Sequence, residues 1–358
     1  MSLITIESNI RDYTVSFPES FQFLRDLEQY SERCYAIDEN VWRLYSEGPL
    51  KDLRRSDVMV LPIEEDLKSL ESVQKLYDHL VQRTAKKNLT LVSIGGGILQ
   101  DISGFAASTL YRGINWVFVP TTLLAQSDSC IGAKTSLNYK AFKNLIGTFY
   151  PPSQVMVHTP FLLTLKDVDF YSGLGEVVKL HMIGGTESMQ RIIEALPAII
   201  RREPDALLES VRRSLTIKQG YIVDDEFDTG KRNMLNFGHC FGHAIESAAK
   251  YEIPHGQAVV LGMLLAGIVA RERGLLSDQL HEFIVRELLL PSLVAEVRND
   301  HLDPTSVIEG MKKDKKRTGT GLALVMMGDN NQMYKVNDLT EQEVAMALDV
   351  TPKYLGIA

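Results

Sequence analysis

Apolar and polar residues alternate in two different ways along the first 160 residues. Short β-branched and apolar stretches predict strands, and the stretches between them have the three-to-four-residue spacing of amphipathic helices. The predicted strands are RCYAIDEN, DVMVLPIEE, LTLVSIGGG, NWVFVPTT and QVMVHT, and the clearest helical stretch is LKSLESVQKLYDHLVQRTAKK. Because strands that alternate with helices are typical of a doubly wound parallel sheet, we expect a Rossmann-like α/β domain.

The pattern changes near residue 160, where long helical stretches replace the strands. They are VDFYSGLGEVVKLHMI, ESMQRIIEALPAIIRR and PDALLESVRRSLTIKQGYIV. We therefore predict an α/β domain at 1–160 and a mostly α-helical domain at 161–358, with a binding cleft between them. The most apolar stretch, AVVLGMLLAGIVA at 258–270, has 13 residues and predicts a buried core helix. A membrane span would need roughly 20.

Charge and cysteine content limit the classes of partner. The chain has 38 Lys and Arg against 46 Asp and Glu, a net charge of -8, which disfavours binding to phosphate backbones. Its three cysteines form no CxxC pair or disulfide framework, and no signal-peptide pattern opens the chain. We expect a protein of the reducing cytoplasm that binds neither nucleic acid nor membrane.

Two short segments follow predicted strands and carry candidate nucleotide-binding groups. Gly95, Gly96 and Gly97 lead from a strand into a helix, whose N-terminal N–H groups and dipole suit a pyrophosphate. The spacing is not GxGxxG, so a tight strand-to-helix turn is the alternative. Thr121 and Thr122 follow the next strand at an edge where open α/β sheets bind ligands, and a helix N-cap is the alternative there.

The stretch NMLNFGHCFGHAIESAAKYEIPHG contains His239, His243 and His255. His239 and His243 lie four residues apart, so on a helix they would share one face and could bind a metal; core histidines are the alternative. Glu176 and Lys179 lie three residues apart in an apolar helical stretch. A charged pair there is costly unless it meets a metal, a substrate or a partner charge, and a solvated ion pair is the alternative.

Positively charged residues recur beside short polar ones in this acidic chain. A run such as KKDKKR at 312–317 is normally a solvated face. Scattered cations near glycines and histidines, however, indicate a small anionic substrate, because Lys and Arg bind phosphate and carboxylate groups. The candidate cations and their amide neighbours are Lys134, Lys143, Asn144, Lys218, Arg232 and Asn236.

Nine pieces of the chain, in family order, resemble the sugar phosphate cyclases, and within them the enzymes that form 3-dehydroquinate. They span about residues 36 to 316 and are IDEN, EEDLKSLE, GGGILQDISGFAASTLYRG, VPTTLLAQSDSCIGAKTSLN, KNLIGTFYPP, FLLTLKDVDFYSGLGEVVK, KRNMLNFGHCFGHAIE, PHGQAVVLGM and DKK. The resemblance implies an NAD-binding α/β domain joined to a helical domain that binds a divalent metal, zinc first and cobalt as the alternative. It also implies a small phosphorylated sugar-acid substrate and a homodimer.

The resemblance also assigns roles to individual residues. The metal ligands would be Glu176, His239 and His255, with His243 facing the substrate instead. The NAD contacts would be Asp38, Asn40, Glu65, Lys68, Gly96, Gly97, Asp101, Thr121, Thr122, Asp128, Lys143, Thr164 and Leu165. The substrate phosphate would be bound by Lys134, Asn144, His243, Lys315 (Lys316 being the alternative in DKK) and Arg112 of a neighbouring subunit. The rest of the substrate pocket would be Lys179, Lys218, Arg232 and Asn236.

The activity that the resemblance implies is the conversion of 3-deoxy-D-arabino-heptulosonate 7-phosphate to 3-dehydroquinate and phosphate. NAD would take a hydride from a metal-bound alcohol, phosphate would leave, the hydride would return, and an aldol step would close the ring. Related cyclases act on substrates that lack a carboxylate. The cations and amide at Lys218, Arg232 and Asn236 therefore favour dehydroquinate formation.

Four residues depart from the family pattern. Gln100 and Ala133 stand where the family usually has glycine, and Cys240 stands where it usually has threonine. Ser127 is more like some antibiotic-pathway cyclases. Two alternatives therefore stay open: another sugar phosphate cyclase, of the amino-dehydroquinate, 2-deoxy-scyllo-inosose or valiolone type, and a metal-dependent glycerol or alcohol dehydrogenase that releases NADH.

Overall fold

The computed structural model describes residues 3–82, 88–140, 142–312 and 321–357. The chain divides into two compact units, Met1–Thr164 and Leu165–Ala358. The first unit is an α/β structure built on a mostly parallel sheet, and the second is mostly helical. The predicted fold class is confirmed.

The elements of the first unit include every predicted strand. Its strands are β1 (Leu3–Ile6), β2 (Tyr13–Ser16), β3 (Arg33–Asp38), β4 (Val58–Leu61), β5 (Thr90–Gly95), β6 (Asn115–Pro120), β7 (Lys134–Tyr139), β8 (Phe142–Phe149) and β9 (Gln154–Met156). Its helices are α1 (Phe23–Asp26), α2 (Glu39–Tyr45), α3 (Leu70–Val81) and α4 (Gly97–Thr109). The five predicted strands are β3, β4, β5, β6 and β9, so the apolar stretches identified them correctly.

The main sheet has the strand order β1-β2-β9-β6-β5-β3-β4. All neighbouring pairs are parallel except β1 and β2. All six residues of β5 are buried, as expected for a central strand covered on both faces. The chain adds β4 on one side of β3 and then returns to add β5, β6 and β9 on the other side. The carboxyl ends of β3 and β5 therefore form a topological switch point, where sheets of this kind bind ligands.

An antiparallel hairpin, β7 with β8, stands apart from the main sheet and packs on α4. Its pairing runs from Lys134 opposite Phe149 to Tyr139 opposite Phe142. The hydrophobic pattern did not predict it. Its residues include several of the predicted ligand contacts.

The second unit is built around one buried helix. Its helices are α5 (Asp167–Ile183), α6 (Thr186–Ile200), α7 (Pro204–Asp224), α8 (His239–Ala248), α9 (His255–Glu272), α10 (Asp278–Ile284), α11 (Leu290–Ser292), α12 (Pro304–Lys312) and α13 (Glu341–Leu355). Its strands, β10 (Leu322–Met327) and β11 (Met333–Leu339), form an antiparallel pair. Every residue of α9 from Gly256 to Ala270 is buried, which confirms the predicted core helix. Over the described residues, no helix combines the length and apolarity needed to cross a membrane.

Glycines allow α5 and α9 to touch backbone to backbone. A Cβ atom at Gly256 would lie 1.7 Å from the carbonyl oxygen of Ser172, and one at Gly175 would lie 2.1 Å from the carbonyl oxygen of Gly256. The Gly256 N–H also donates to Ser172 Oγ at 3.1 Å. Since no larger residue fits at either glycine without moving a helix, this contact sets the distance between Glu176 and His255.

Candidate active site

Three helices of the second unit bring the predicted metal ligands together. Glu176 on α5 is buried, and its Oε1 lies 3.1 Å from Nε2 of His255 and 3.4 Å from Nε2 of His239. His239 is the first residue of α8, and His255 is the first residue of α9. Both imidazoles therefore direct the same ring nitrogen at one carboxylate oxygen.

The other ring nitrogen of each histidine has its own acceptor. Nδ1 of His239 lies 3.2 Å from the carbonyl oxygen of Phe237, and Nδ1 of His255 lies 2.9 Å from Oε2 of Glu246. A carbonyl oxygen can only accept, so Nδ1 of His239 carries the hydrogen and its Nε2 presents a lone pair when the ring is neutral. Two imidazole nitrogens and a carboxylate are a donor set that suits a divalent ion such as zinc.

His243 lies in the same cluster and allows a second ligand set. Ligand atoms of His239, His243 and His255 all lie within 4.8 Å of one another. The ring of His243 is 5.2 Å from that of His239 and 5.6 Å from that of His255, measured between centroids. A three-histidine set and the predicted set with Glu176 share two members, and both fit this geometry.

The electrostatics of the cluster favour a cation. Burial disfavours a charged imidazole, but hydrogen bonds with Glu176 and Glu246 overcome it and raise the pKa of His255 to about 10. The negative charge that retains a proton here also attracts a divalent ion. The second oxygen of Glu176 lies 2.5 Å from Nζ of Lys179, and both side chains are at most 3% exposed. The alternative of a solvated ion pair for Glu176 and Lys179 is therefore wrong.

A pocket lies beside the histidines. Its polar lining includes Asn236, His239 and His243 from the predicted set, and Lys335, which sequence reasoning did not identify. Met311 and Leu322, which precede and follow the DKK motif in the sequence, also line it. The predicted phosphate-binding residue Lys315 and its alternative Lys316 lie outside the described residues.

Arg232 is buried and lies in a 3₁₀ helix at Lys231–Asn236. The carboxylate of Asp225 fixes the loop that precedes this helix. The guanidinium of Arg232 donates to the carbonyl oxygen of Glu226, and its backbone N–H donates to Asp225 Oδ2 at 3.0 Å. Asp225 also accepts the N–H groups of Thr229 and Gly230. Burial opposes ionisation of Asp225, but these N–H donors lower its pKa to about 2. Of the other predicted pocket residues, Lys218 on α7 is buried too.

In the first unit, the predicted NAD contacts begin at the switch point. Asp38 ends β3 and accepts the N–H of Asn40 at 2.8 Å. A Cβ atom at Gly95 would lie 3.1 Å from Cβ of Asp38, and one at Gly96 would lie 3.0 Å from Cγ2 of Thr122. The hydroxyl of Thr122 accepts the N–H of Ala125 at 3.2 Å, so Thr122 is a helix cap, as the alternative interpretation proposed.

A second cluster joins residues predicted to bind NAD with one predicted to bind phosphate. Nζ of Lys68 lies 3.0 Å from Asp101 Oδ2 and also donates to Asn144 Oδ1. The hydroxyl of Ser136 donates to Asp101 at 3.0 Å. Burial raises the pKa of Asp101 above its ordinary value, although Lys68 and Ser136 favour the charged carboxylate. The cluster ties the β7–β8 hairpin to α4.

The remaining predicted residues are spread over their units. Glu65 accepts a hydrogen bond from Asn138, and Thr164 is within hydrogen-bond distance of the Tyr45 hydroxyl. Gly97 is the first residue of α4, Thr121 follows β6, and Asp128 lies in a π-helical turn at Ala125–Ser129. Lys134 and Lys143 lie on the β7–β8 hairpin, and Arg112 lies in an exposed 3₁₀ turn at Leu110–Arg112. Leu165 is the first residue of the second unit.

Besides Lys335, sequence reasoning missed two residues near the site, one of which had a signal in the residue spacing. Glu246 follows His239 and His243 at positions i+7 and i+3 on α8, so helical spacing alone puts all three on one face. Asp225 had no such signal, because its partners are backbone N–H groups in an irregular loop.

Two departures from the family pattern have a structural explanation. Ala133 has φ of 61°, a left-handed conformation that glycine adopts without strain, which explains why the family usually has glycine there. Gln100 forms two reciprocal hydrogen bonds with Ser129, each 2.6 Å long. Cys240 is partly exposed and lines the pocket beside His239. For Ser127, which is buried on the π-helical turn, the structure offers no comparable explanation.

Comparisons with known proteins agree with these features. Residues 58–172 match the family model described as 3-dehydroquinate synthase N-terminal, and residues 173–317 match the one described as 3-dehydroquinate synthase C-terminal. The 3-dehydroquinate synthase of Clostridium tetani is 41% identical over 242 residues, which are 67% of this chain and 65% of that protein. The one from Dictyoglomus turgidum is 34% identical over 354 residues, 97% of this chain and 98% of that protein.

A solved structure matches nearly the full length of the chain. The 2-epi-5-epi-valiolone synthase from Streptomyces hygroscopicus subsp. jinggangensis, with NAD⁺ and Zn²⁺ bound, is 26% identical and superposes with a TM-score of 0.85. The match covers 98% of this chain and 99% of that one. Two contiguous family matches that cover most of the chain, together with a relative aligned over nearly its full length, show that this protein belongs to the 3-dehydroquinate synthase family.

Proposed function

We propose that the protein is a 3-dehydroquinate synthase, which converts 3-deoxy-D-arabino-heptulosonate 7-phosphate to 3-dehydroquinate and phosphate. The observation that carries the proposal is the convergence of Nε2 of His239 and of His255 on one oxygen of the buried Glu176. Such a donor set is suited to hold a metal against a substrate hydroxyl. The family's named relatives support the choice of reaction.

The cofactors of the proposal are a divalent metal, zinc first and cobalt as the alternative, and NAD. Glu176, His239 and His255 would hold the metal, and the edge formed by Asp38 and the Gly95–Gly97 loop would hold NAD. The valiolone synthase with NAD⁺ and Zn²⁺ bound supports both assignments. When bound, the two groups supply a lowered pKa for a substrate hydroxyl and a reversible hydride acceptor.

The protein's own residues bind and neutralise the substrate. In the second unit, Lys218, Arg232 and Asn236 would bind the carboxylate and hydroxyl groups, and His243 would bind the phosphate. Lys179 holds the second oxygen of Glu176 and so keeps the first one directed at the histidines. Most of the catalytic effect then comes from positioning and from electrostatic stabilisation of the developing charges.

We also propose that the enzyme is a phosphate-eliminating carbon–oxygen lyase that acts as a cytoplasmic homodimer. Arg112 would reach the phosphate of a neighbouring subunit, as the family resemblance implies. Its position on an exposed turn supports this role. The three cysteines are free thiols, which supports the reducing cytoplasm as its location.

The decisive experiment incubates metal-loaded protein and catalytic NAD with the heptulosonate phosphate, and follows the release of phosphate and the formation of 3-dehydroquinate. We expect both products in equal amounts and no net NADH. Absence of phosphate release would overturn the proposal. Phosphate release only from sedoheptulose 7-phosphate or glucose 6-phosphate would indicate another cyclase, and stoichiometric NADH from a polyol would indicate a dehydrogenase.

A further inference from the structure

Glu246 lies next to the histidine cluster without belonging to either ligand set. Its side chain on α8 is 12% exposed, and Oε2 lies 2.9 Å from Nδ1 of His255. The other nitrogen of the same ring lies 3.1 Å from Glu176 Oε1. His255 is therefore held between two carboxylates, one on each side of its ring.

The turn between α8 and α9 creates this contact. Lys250 and Tyr251 both have left-handed backbone conformations, with φ of 48° and 65°, and the Tyr251 N–H donates to the carbonyl oxygen of Glu246 at 2.8 Å. Such conformations cost about 1 kcal/mol or more for residues other than glycine. The strained turn reverses the direction of the chain, so that His255, the first residue of α9, lies beside the last turn of α8.

The Nδ1 atoms of His255 and His239 differ in where their hydrogen-bond acceptors come from. Nδ1 of His239 is held by a backbone carbonyl only two residues away, whereas Nδ1 of His255 meets a side chain nine residues away. If Glu246 were removed, Nδ1 of His255 would lose the acceptor that fixes the orientation of the ring. Nε2 would then no longer be held toward Glu176 Oε1.

We propose that Glu246 is a positioning residue for the metal centre. It accepts the Nδ1–H of His255 and thereby holds the ring with Nε2 directed at Glu176, and its charge strengthens Nε2 as a metal ligand. Groups of this kind around metal-binding histidines typically contribute 10- to 100-fold in metal affinity. This role rests on the proposed function only through the metal site that contains His255, and is independent of which sugar phosphate is the substrate.

The test is a titration of Co²⁺ into metal-stripped, full-length protein, followed by visible absorption. We expect Glu246→Ala to bind Co²⁺ about 10- to 100-fold more weakly than the wild type, in line with the usual contribution of such groups. Glu246→Gln, which keeps an acceptor oxygen but loses the charge, should fall between the two.

Glu343 on α13 provides the matched control, because it is a half-buried glutamate bonded to Arg273 at 2.6 Å, outside the site. Glu343→Ala should lower thermal stability and leave Co²⁺ affinity unchanged. The role of Glu246 would be overturned if the wild type and both Glu246 variants bound Co²⁺ equally well, or if the loss were no larger than in Glu343→Ala. Either result would leave the proposed function intact, because that is tested separately by phosphate release from the wild type. A wild type that binds no Co²⁺ would overturn the metal site itself. If Glu246→Ala fails to fold, the Co²⁺ affinity of Glu246→Gln decides the question.

Discussion

The backbone contact between α5 and α9 predicts that one methyl group can open the metal site. In Gly256→Ala, the new Cβ atom would lie 1.7 Å from the carbonyl oxygen of Ser172. Real Cβ atoms essentially never approach a neighbour closer than 3.0 Å, so the two backbones must separate by about 1.3 Å. The obstacle is a backbone carbonyl in the middle of a helix, so side-chain rotation cannot relieve it.

The separation acts directly on the ligands, because His255 and Glu176 each adjoin one of the contacting glycines. Metal–ligand distances tolerate about 0.2 Å, much less than a shift of about 1.3 Å. We therefore expect Gly256→Ala to bind Co²⁺ at least tenfold more weakly. Overpacking of this kind should also lower the free energy of unfolding by about 1–3 kcal/mol.

Gly220→Ala on α7 is the matched control, because a Cβ atom there meets nothing within 4 Å. The same substitution in a helix without a clash should stabilise the protein by about 0.5–1 kcal/mol and leave Co²⁺ affinity unchanged. Urea unfolding and Co²⁺ titration of both variants measure the two effects. Wild-type Co²⁺ affinity in Gly256→Ala, or an equal loss in Gly220→Ala, would refute the reasoning.

The remaining predictions concern the histidines and one strained alanine. His255→Ala should lose bound Co²⁺, whereas His243→Ala should keep it, because only His255 belongs to the assigned ligand set. Ala133→Gly should raise the free energy of unfolding in urea by about 1 kcal/mol, since glycine adopts a left-handed φ without cost. Stability should fall as the pH drops from about 6.5, because burial lowers the pKa of His181 to about 4. Between these values the unfolded chain binds a proton on this side chain and the folded protein does not.

Each of these predictions has an outcome that contradicts it. Equal Co²⁺ loss in both histidine variants would support the three-histidine ligand set. An unchanged urea midpoint for Ala133→Gly would mean that its left-handed backbone carries no strain. His181→Gln should flatten the dependence of unfolding free energy on pH between about 6.5 and 4, and an identical slope would show that other groups cause it.

The apolar pattern was sufficient for the main sheet and for α9. The sequence of a buried parallel strand such as β5 is a continuous apolar stretch, and the sequence of α9 is a longer apolar stretch, because both elements are covered on every side. The hairpin strand β8 escaped prediction because its residues are exposed or half-buried and carry no such pattern. Its contribution to the Lys68 cluster was consequently missed as well.

The division between sequence and structure is clearest in the histidine cluster. Helix geometry places His239, His243 and Glu246 on one face whatever the rest of the molecule does, so residue spacing alone determined that part of the site. The contact of Glu176 with His255 joins residues on different helices, and its distance depends on two glycines that let those helices touch. Spacing along a chain carries no information about such a contact, and therefore only tertiary packing decided which nitrogen and which oxygen face each other.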